Sequence, residues 1–426
     1  MQALLLDIGP LAHLSFGEGF LRGQQMLDEE NLVLPSGQGI LVQDGVIVSI
    51  ADSKELREEY IGGQKGSGLE PQMIEGINVI EIGGRAIVPG LVDSHTHLLW
   101  GGDRSREARW RQQGLSYHEI AKKGGGIAHT VGETRALNEN ELLNIGQSRI
   151  RFALQNGTTA MEVKSGYGLD TDSEIRLLRA ANALHGVSID STWLGAHAAP
   201  PGVKREDYVE QILTEQLPAV LETKLARSAD VFCEPGWFTL EETEEICKAA
   251  KNGGMDVRLH VDEFVDSGGL SLAAELKAQS GDHAHWSNES ARFEADAADT
   301  LQCFLPGTPF SMGETHYPPA VECIENSLAW AAATDFNPNC RILSLPFIGC
   351  LLTQRMNVDP LASLVAVSRN PAQVTKHQDD LAHGMIVENG AADLNILSSS
   401  FWESWCQQPG NTPFAATMQS GLITVH

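Results

Sequence analysis

Pro89-Gly90-Leu91-Val92-Asp93-Ser94-His95-Thr96-His97 joins a short apolar run to two histidines one residue apart. Residues i and i+2 of a strand point to one face, so both imidazoles can turn toward one metal ion. A His-x-His pair alone is a weak signal; its place at the end of a buried apolar strand strengthens it. Outward from this stretch, β-rich runs alternate with stretches of helical composition from about residue 88 to 370. The strand runs are 86–93, 158–163, 191–196, 230–234, 256–261, 281–284, 300–305 and 329–334, and 171–185 and 239–252 are helix-like. The long gap from 100 to 157 has room for more than one helix. Eight strands in such alternation predict an α/β fold, a (β/α)8 TIM-like barrel. A doubly wound open sheet competes, but no Gly-x-Gly-x-x-Gly follows the first strand.

Both ends of the chain read differently. Before the barrel, apolar runs flank Asp44-Gly45, a hairpin signal, and the pattern recurs around Gly83-Gly84. After it, 384–388 and 392–397 flank Asn389-Gly390. The expected organisation is a barrel over 88–372, with 1–87 and 373–426 joining in one composite β-sandwich domain.

Composition narrows the function. At 42% apolar and 20% charged residues, wholesale disorder is excluded. A net charge of −26 repels nucleic-acid phosphate and anionic membranes, so neither is an expected partner. The seven cysteines are scattered, with no Cys-x-x-Cys, as in a reduced cytosolic protein. The start, MQALLLDIGPLAH, lacks the basic region of a signal peptide, and no apolar run approaches the roughly 20 residues that span a bilayer. A cytoplasmic location is expected.

Barrel active sites gather at the C-terminal ends of the strands. His95 and His97, His197, His260 and His283 all fall there, on separate strand runs, and Asp335 follows the last one in Ala331-Ala-Ala-Thr-Asp335-Phe-Asn337-Pro338. Singly, each has a structural explanation: Asp335 before Asn-Pro is a ready turn former, and His197 or His283 a satisfied core histidine. Together at one rim they are hard to explain so. Three histidines and one carboxylate form a nitrogen- and oxygen-rich set suited to zinc or another borderline divalent ion. Glu263, three residues after His260, is within reach of whatever that ion holds.

The motif around His95 and His97, preceded by a β region, resembles the metal-dependent amidohydrolase superfamily. Within it, Leu98-Leu-Trp-Gly-Gly-Asp-Arg104, Gly124-Gly-Gly-Ile127, Glu162-Val-Lys-Ser-Gly-Tyr-Gly-Leu169, Leu194-Gly-Ala-His197, Asp230-Val-Phe-Cys-Glu234 and Ala333-Thr-Asp-Phe-Asn-Pro338 resemble the imidazolonepropionases. The resemblance implies hydrolysis of the cyclic amide of 4-imidazolone-5-propanoate to N-formimidoyl-L-glutamate, in histidine degradation, with one divalent ion, zinc or iron. It implies His95, His97, His260 and Asp335 as metal ligands. Glu263, His283 and Asp335 would be catalytic, and Arg104, Tyr167, His197, Glu263, Asn337, Asn339 and Cys340 would fall at substrate positions. Arg104 offers a planar fork for the propanoate carboxylate. Asn339-Cys340-Arg341 stands where the family usually carries small hydroxyl and glycine residues. Lys164 is not read as a carboxylated bridge, since the pattern suits a single ion. The expected partner is a small anionic heterocycle, with a homodimer left open. A heterocycle deaminase and a catalytically dead binding protein on the same scaffold are the alternatives.

Overall fold

A computed structural model describes residues 1–115 and 117–426. Its central sheet has eight parallel strands in sequence order: β1 Leu91–Asp93, β2 Thr158–Lys164, β3 Ser188–Ala196, β4 Ser228–Cys233, β5 Asp256–Val261, β6 Ser280–His283, β7 Leu301–Phe304 and β8 Trp330–Ala332. The sheet closes just past β1 and β8, where His97 N–H donates to Phe336 O (2.9 Å) and Asp335 N–H to His95 O (3.1 Å). His95, His97 and Asp335 therefore sit on the seam of a closed barrel.

Helices cover the outside. Glu139–Gln155 begins with a reciprocal cap between Asn138 and Glu141, and Leu240–Asn252 with the same arrangement of Thr239 and Glu242. Leu142, Gly146, Ile150 and Ala153, spaced at helical intervals, form the buried face of the first. Among the described residues no helix is long and apolar enough to cross a membrane.

The barrel interior is charged. Glu162 and Lys164, two apart on β2, lie fully buried with Asp230 of β4 and Asp282 of β6. Lys164 Nζ is 2.9 Å from Glu162 Oε1, 2.7 Å from Asp230 Oδ2 and 3.6 Å from Asp282 Oδ2. Buried charges persist only when paired, and here one ammonium gathers three carboxylates beneath the rim.

Two further sheets form a separate β domain. The five-stranded one holds Val46–Asp52, Gln38–Gln43, Gln2–Leu6, Ile77–Glu81 and Gln72–Ile74 in that order. The six-stranded one interleaves the two ends of the chain: Leu422–Val425, Phe414–Gln419, Leu394–Leu397, Ile87–Pro89, Leu11–Ala12 and Val33–Leu34. Leu5, Ile40 and Ile80 of the first share one core with Leu11, Ile396 and Met418 of the second.

Three local expectations need correction. The run 86–93 is not one strand. It divides at Gly90, with Ile87–Pro89 pairing with Leu394–Leu397 and Leu91–Asp93 with β2. A Cβ at Gly90 would lie 2.1 Å from Thr159 Oγ1, so the backbone approaches β2 too closely for any side chain. Gly83-Gly84 does not close a hairpin, because Ile77–Glu81 runs parallel to Gln2–Leu6 and the chain after the glycines enters the other sheet. Residues 384–388 are not a strand; the Asn389-Gly390 turn instead bonds to Ile47 through Asn389 N–H (2.8 Å) and Gly390 O (2.9 Å). The hairpin at Asp44-Gly45 forms as expected, both residues at positive φ.

The junction between barrel and β domain carries a stability prediction. Gly157 precedes β2 at φ +81, and a Cβ there would lie 2.3 Å from the Phe414 ring. Its carbonyl accepts from Leu91 N–H (2.9 Å) and Asn395 Nδ2 (2.8 Å). Gly157→Ala combines a left-handed conformation with overpacking, so it is expected to cost roughly 2–5 kcal/mol. Urea unfolding of the variant beside the parent measures it.

Candidate active site

His95 and His97 follow β1, His260 lies on β5, His283 ends β6, and Asp335 follows β8. Ligating atoms of His95, His97 and His260 lie within 4.8 Å of one another, and so do those of His95, His283 and Asp335. Asp335 Oδ1 is 3.6 Å from both His95 Nε2 and His97 Nε2. All are buried. The backbone is held in uncommon conformations at the rim: φ is +66 at His283, +45 at Ala284 and +49 at Asp335. Positive φ costs energy in residues with a Cβ, and it re-aims these side chains inward.

Carboxylates from the barrel interior orient the imidazoles. Asp282 Oδ2 lies 2.7 Å from His95 Nδ1, and Asp230 Oδ2 lies 3.0 Å from His260 Nδ1. A carboxylate there keeps the proton on Nδ1 and leaves Nε2 as a bare lone pair. His260 Nε2 faces His97 Nε2 at 3.3 Å, and His95 Nε2 has no hydrogen-bond partner among the described residues. Burial, reinforced by Lys164 and neighbouring imidazoles, pushes His95 well below the ordinary imidazole range; burial and His197 do the same to His97. With His95 and His97 held toward the neutral form and the ligand atoms of all three imidazoles gathered at one point, the cluster is a ready donor set for a divalent cation.

A cavity of about 360 Å³ opens above this cluster. His97, His197, His260, His283, Glu263 and Asp335 line it. Phe232 packs on Trp237 (4.9 Å between centroids) and Trp237 on Phe264 (5.7 Å), forming an aromatic wall. Glu263 Oε2 is 3.5 Å from His283 Nε2. Burial, with Asp335, Glu234 and Glu314 adding negative charge, pushes the Glu263 carboxyl well above the usual range. His197 gives its Nδ1 to Gly166 O (2.8 Å), and burial beside His260 holds it neutral, near 4.

The remaining expected residues separate into two groups. Arg104, Tyr167, Asn337 and Asn339 all line the cavity. Arg104 does so while engaged by Glu107, through Nε to Oε1 and Nη2 to Oε2, both at 2.8 Å. Asn337 Oδ1 accepts from the backbone N–H of Asn339 (2.7 Å) and Cys340 (2.9 Å), shaping the loop after β8. Asn339 Oδ1 accepts from Arg111 Nη1 (2.8 Å). Cys340 is not brought to the cavity. It is fully buried, its thiol lies against Thr334 O (3.6 Å) and Ser311 Oγ (3.5 Å), and burial pushes it up to about 12. A side chain of that size turned inward fills space under Gly307 rather than meeting a ligand.

Sequence reasoning did not identify Asp230, Asp282, Thr308 or Glu107. Thr308 Oγ1 donates to Asp335 Oδ2 at 2.5 Å, so the second oxygen of that carboxylate is occupied. The available signal was acidic residues inside strands that are otherwise apolar, Asp230 and Asp282 among them.

A closed parallel barrel with imidazoles and carboxylates gathered at its C-terminal rim, beside a β-sandwich, defines a metal-dependent amidohydrolase. No family model matches the chain. An adenosine deaminase of Xanthomonas campestris with bound zinc shares the fold, at a TM-score of 0.66 and 16% identity over 99% of this chain and 92% of that one. An imidazolonepropionase of Symbiobacterium thermophilum is 37% identical over 402 residues, 93% of this chain and 91% of the relative. One of Haloarcula marismortui is 34% identical over 388 residues, 90% and 89% of the two chains. This chain belongs to the imidazolonepropionase family.

Proposed function

We propose that the chain hydrolyses the cyclic amide C–N bond of 4-imidazolone-5-propanoate, giving N-formimidoyl-L-glutamate in histidine degradation. One divalent ion, zinc or iron, is held by His95, His97, His260 and Asp335. The observation that carries this reading is the convergence of His95, His97 and His260, their ligand atoms within 4.8 Å, in a member of this family. His97 Nε2 and His260 Nε2 lie 3.3 Å apart, and Asp230 and Asp282 engage the Nδ1 atoms of His260 and His95, so nitrogen donors are presented to one point and the set fits a metal. A divalent ion there would supply Lewis acidity, polarising a carbonyl and lowering the pKa of water toward neutrality.

The chain's own residues do the rest. Glu263, its carboxyl raised by burial, takes the proton of the attacking water and passes it to the departing ring nitrogen. His283, 3.5 Å from Glu263, stands where it can polarise the carbonyl oxygen or assist that transfer, and Asp335 can share the base role. The aromatic wall suits a flat ring. Tyr167, His197, Asn337 and Asn339 surround the substrate, and Arg104, held rigid by Glu107, presents its guanidinium to the propanoate. Against a net charge of −26, such a cation is what lets an anionic substrate approach. The same reading places the enzyme in the cytoplasm, divides it near residue 88, at the end of the strand Ile87–Pro89, and at residue 372, assigns it no nucleic-acid or membrane partner, and keeps a homodimer as the assembly to test.

The direct test is incubation with 4-imidazolone-5-propanoate, following loss of imidazolone absorbance and the mass of the product. Absence of turnover with every divalent ion tried contradicts the assignment. Arg104→Met separates this substrate from a neutral heterocycle. Losing charge-assisted hydrogen bonds to the carboxylate is expected to raise KM about 10- to 100-fold with metal content unchanged. An unaltered KM favours the deaminase alternative.

A further inference from the structure

Glu234 follows β4, is 2% exposed and does not line the cavity. Its Oε1 accepts the backbone N–H of Glu263 and that of Phe264, the latter at 3.3 Å. The loop these residues open is tied at its far end by Asp262, whose carboxylate accepts from Ser267 N–H (3.0 Å), Gly269 N–H (3.2 Å) and Leu270 N–H (3.2 Å). Among the described residues, no group other than Glu234 accepts from the N–H of Glu263 or Phe264. The near end of the loop, where the Glu263 side chain departs, is held by Asp262 O, which accepts from Trp286 N–H (2.9 Å), and at residues 263 and 264 themselves by the carboxylate that follows the neighbouring strand.

We propose that Glu234 is the positioning residue for Glu263, fixing the backbone from which that carboxyl reaches the reacting atoms. The inference rests on the reading that Glu263 carries the proton. A carboxylate buried at this depth is costly unless its bonds are good, and a double backbone acceptor is a use that justifies it. Proton transfer is steep in distance, so a shift of about 1 Å at residue 263 costs on the order of 100-fold in rate.

Three variants test it in the intact, metal-loaded enzyme. Glu234→Ala removes the acceptor and is expected to lower kcat about 10- to 100-fold, with KM and metal content as in the parent. Glu234→Gln keeps a carbonyl oxygen in place and is expected to recover kcat to within about threefold. Where the alanine variant does not fold, Glu234→Asp retains the charge but withdraws the oxygen, and the same loss of kcat is expected. In a Glu263→Gln background, Glu234→Ala is expected to add less than about twofold, since nothing remains to be positioned. A parental kcat in Glu234→Ala or Glu234→Asp overturns the proposal. So does a glutamine variant as impaired as alanine, or an undiminished effect in the Glu263→Gln background. Parental turnover in Glu263→Gln alone is a different failure, that of the proton-carrier reading.

Discussion

Glu263→Gln is expected to lower kcat by about 10²- to 10⁴-fold, leaving folding and metal content at parental values. The amide is isosteric and retains hydrogen bonding, but it cannot take the proton of an attacking water or return it to a ring nitrogen. Glu263 suits that role because it lies beside His283 at the cavity, and burial, with Asp335, Glu234 and Glu314 nearby, raises its carboxyl well above the usual range. His283 Nε2 lies 3.5 Å from its Oε2. Steady-state kinetics with metal analysis on the same preparation checks this. Undiminished turnover would move the base role to Asp335, the other carboxylate at the rim.

The second large effect is expected at a residue that never meets the substrate. Lys164 is fully buried, and although burial works against its charge, Asp230, Glu162 and Asp282 outweigh it and hold the ammonium above its ordinary value. Burial pushes Asp230 up, yet His260 and Lys164 pull it below the usual carboxylate range. Lys164→Met takes from three buried carboxylates the ammonium that contacts them, leaving Arg258 as the buried cation nearby. Removing one partner of such a cluster costs about 3–5 kcal/mol. Asp230 and Asp282 then take up protons, and loosen their grip on the Nδ1–H of His260 and His95. Loss of such supporting carboxylates weakens metal binding about 10- to 100-fold. Chemical unfolding and metal titration of the variant measure both effects; parental values in each would show that the charged barrel interior does not organise the rim.

The barrel was legible because short buried runs alternate with stretches of helical composition, and β5 matched its expected span of 256–261. The division of 86–93 was not, since nothing local marks Gly90 as the point where the chain leaves one sheet for another; Thr159, which demands it, lies on a later strand. The same contrast holds at the site. His95, His97, His260, His283 and Asp335 could be singled out because strand ends advertise themselves in sequence. Their supports could not: Asp282 reaches His95 across 187 residues, and only the closed sheet brings them together. Arg104 was readable as a cation near the mouth, but not its bidentate engagement by Glu107, which depends on the helix that follows. Cys340 was carried to the cavity by its position in a motif, whereas the Asx-type turn made by Asn337 rotates the loop and buries it.

Metal analysis of the purified chain, paired with turnover of 4-imidazolone-5-propanoate before and after chelation, tests the central claim most directly. The account predicts about one divalent transition ion per chain, loss of turnover on its removal and recovery on its return, and loss of the ion in His260→Ala. Full turnover by chelated protein, or an ion retained at parental affinity without His260, would contradict it.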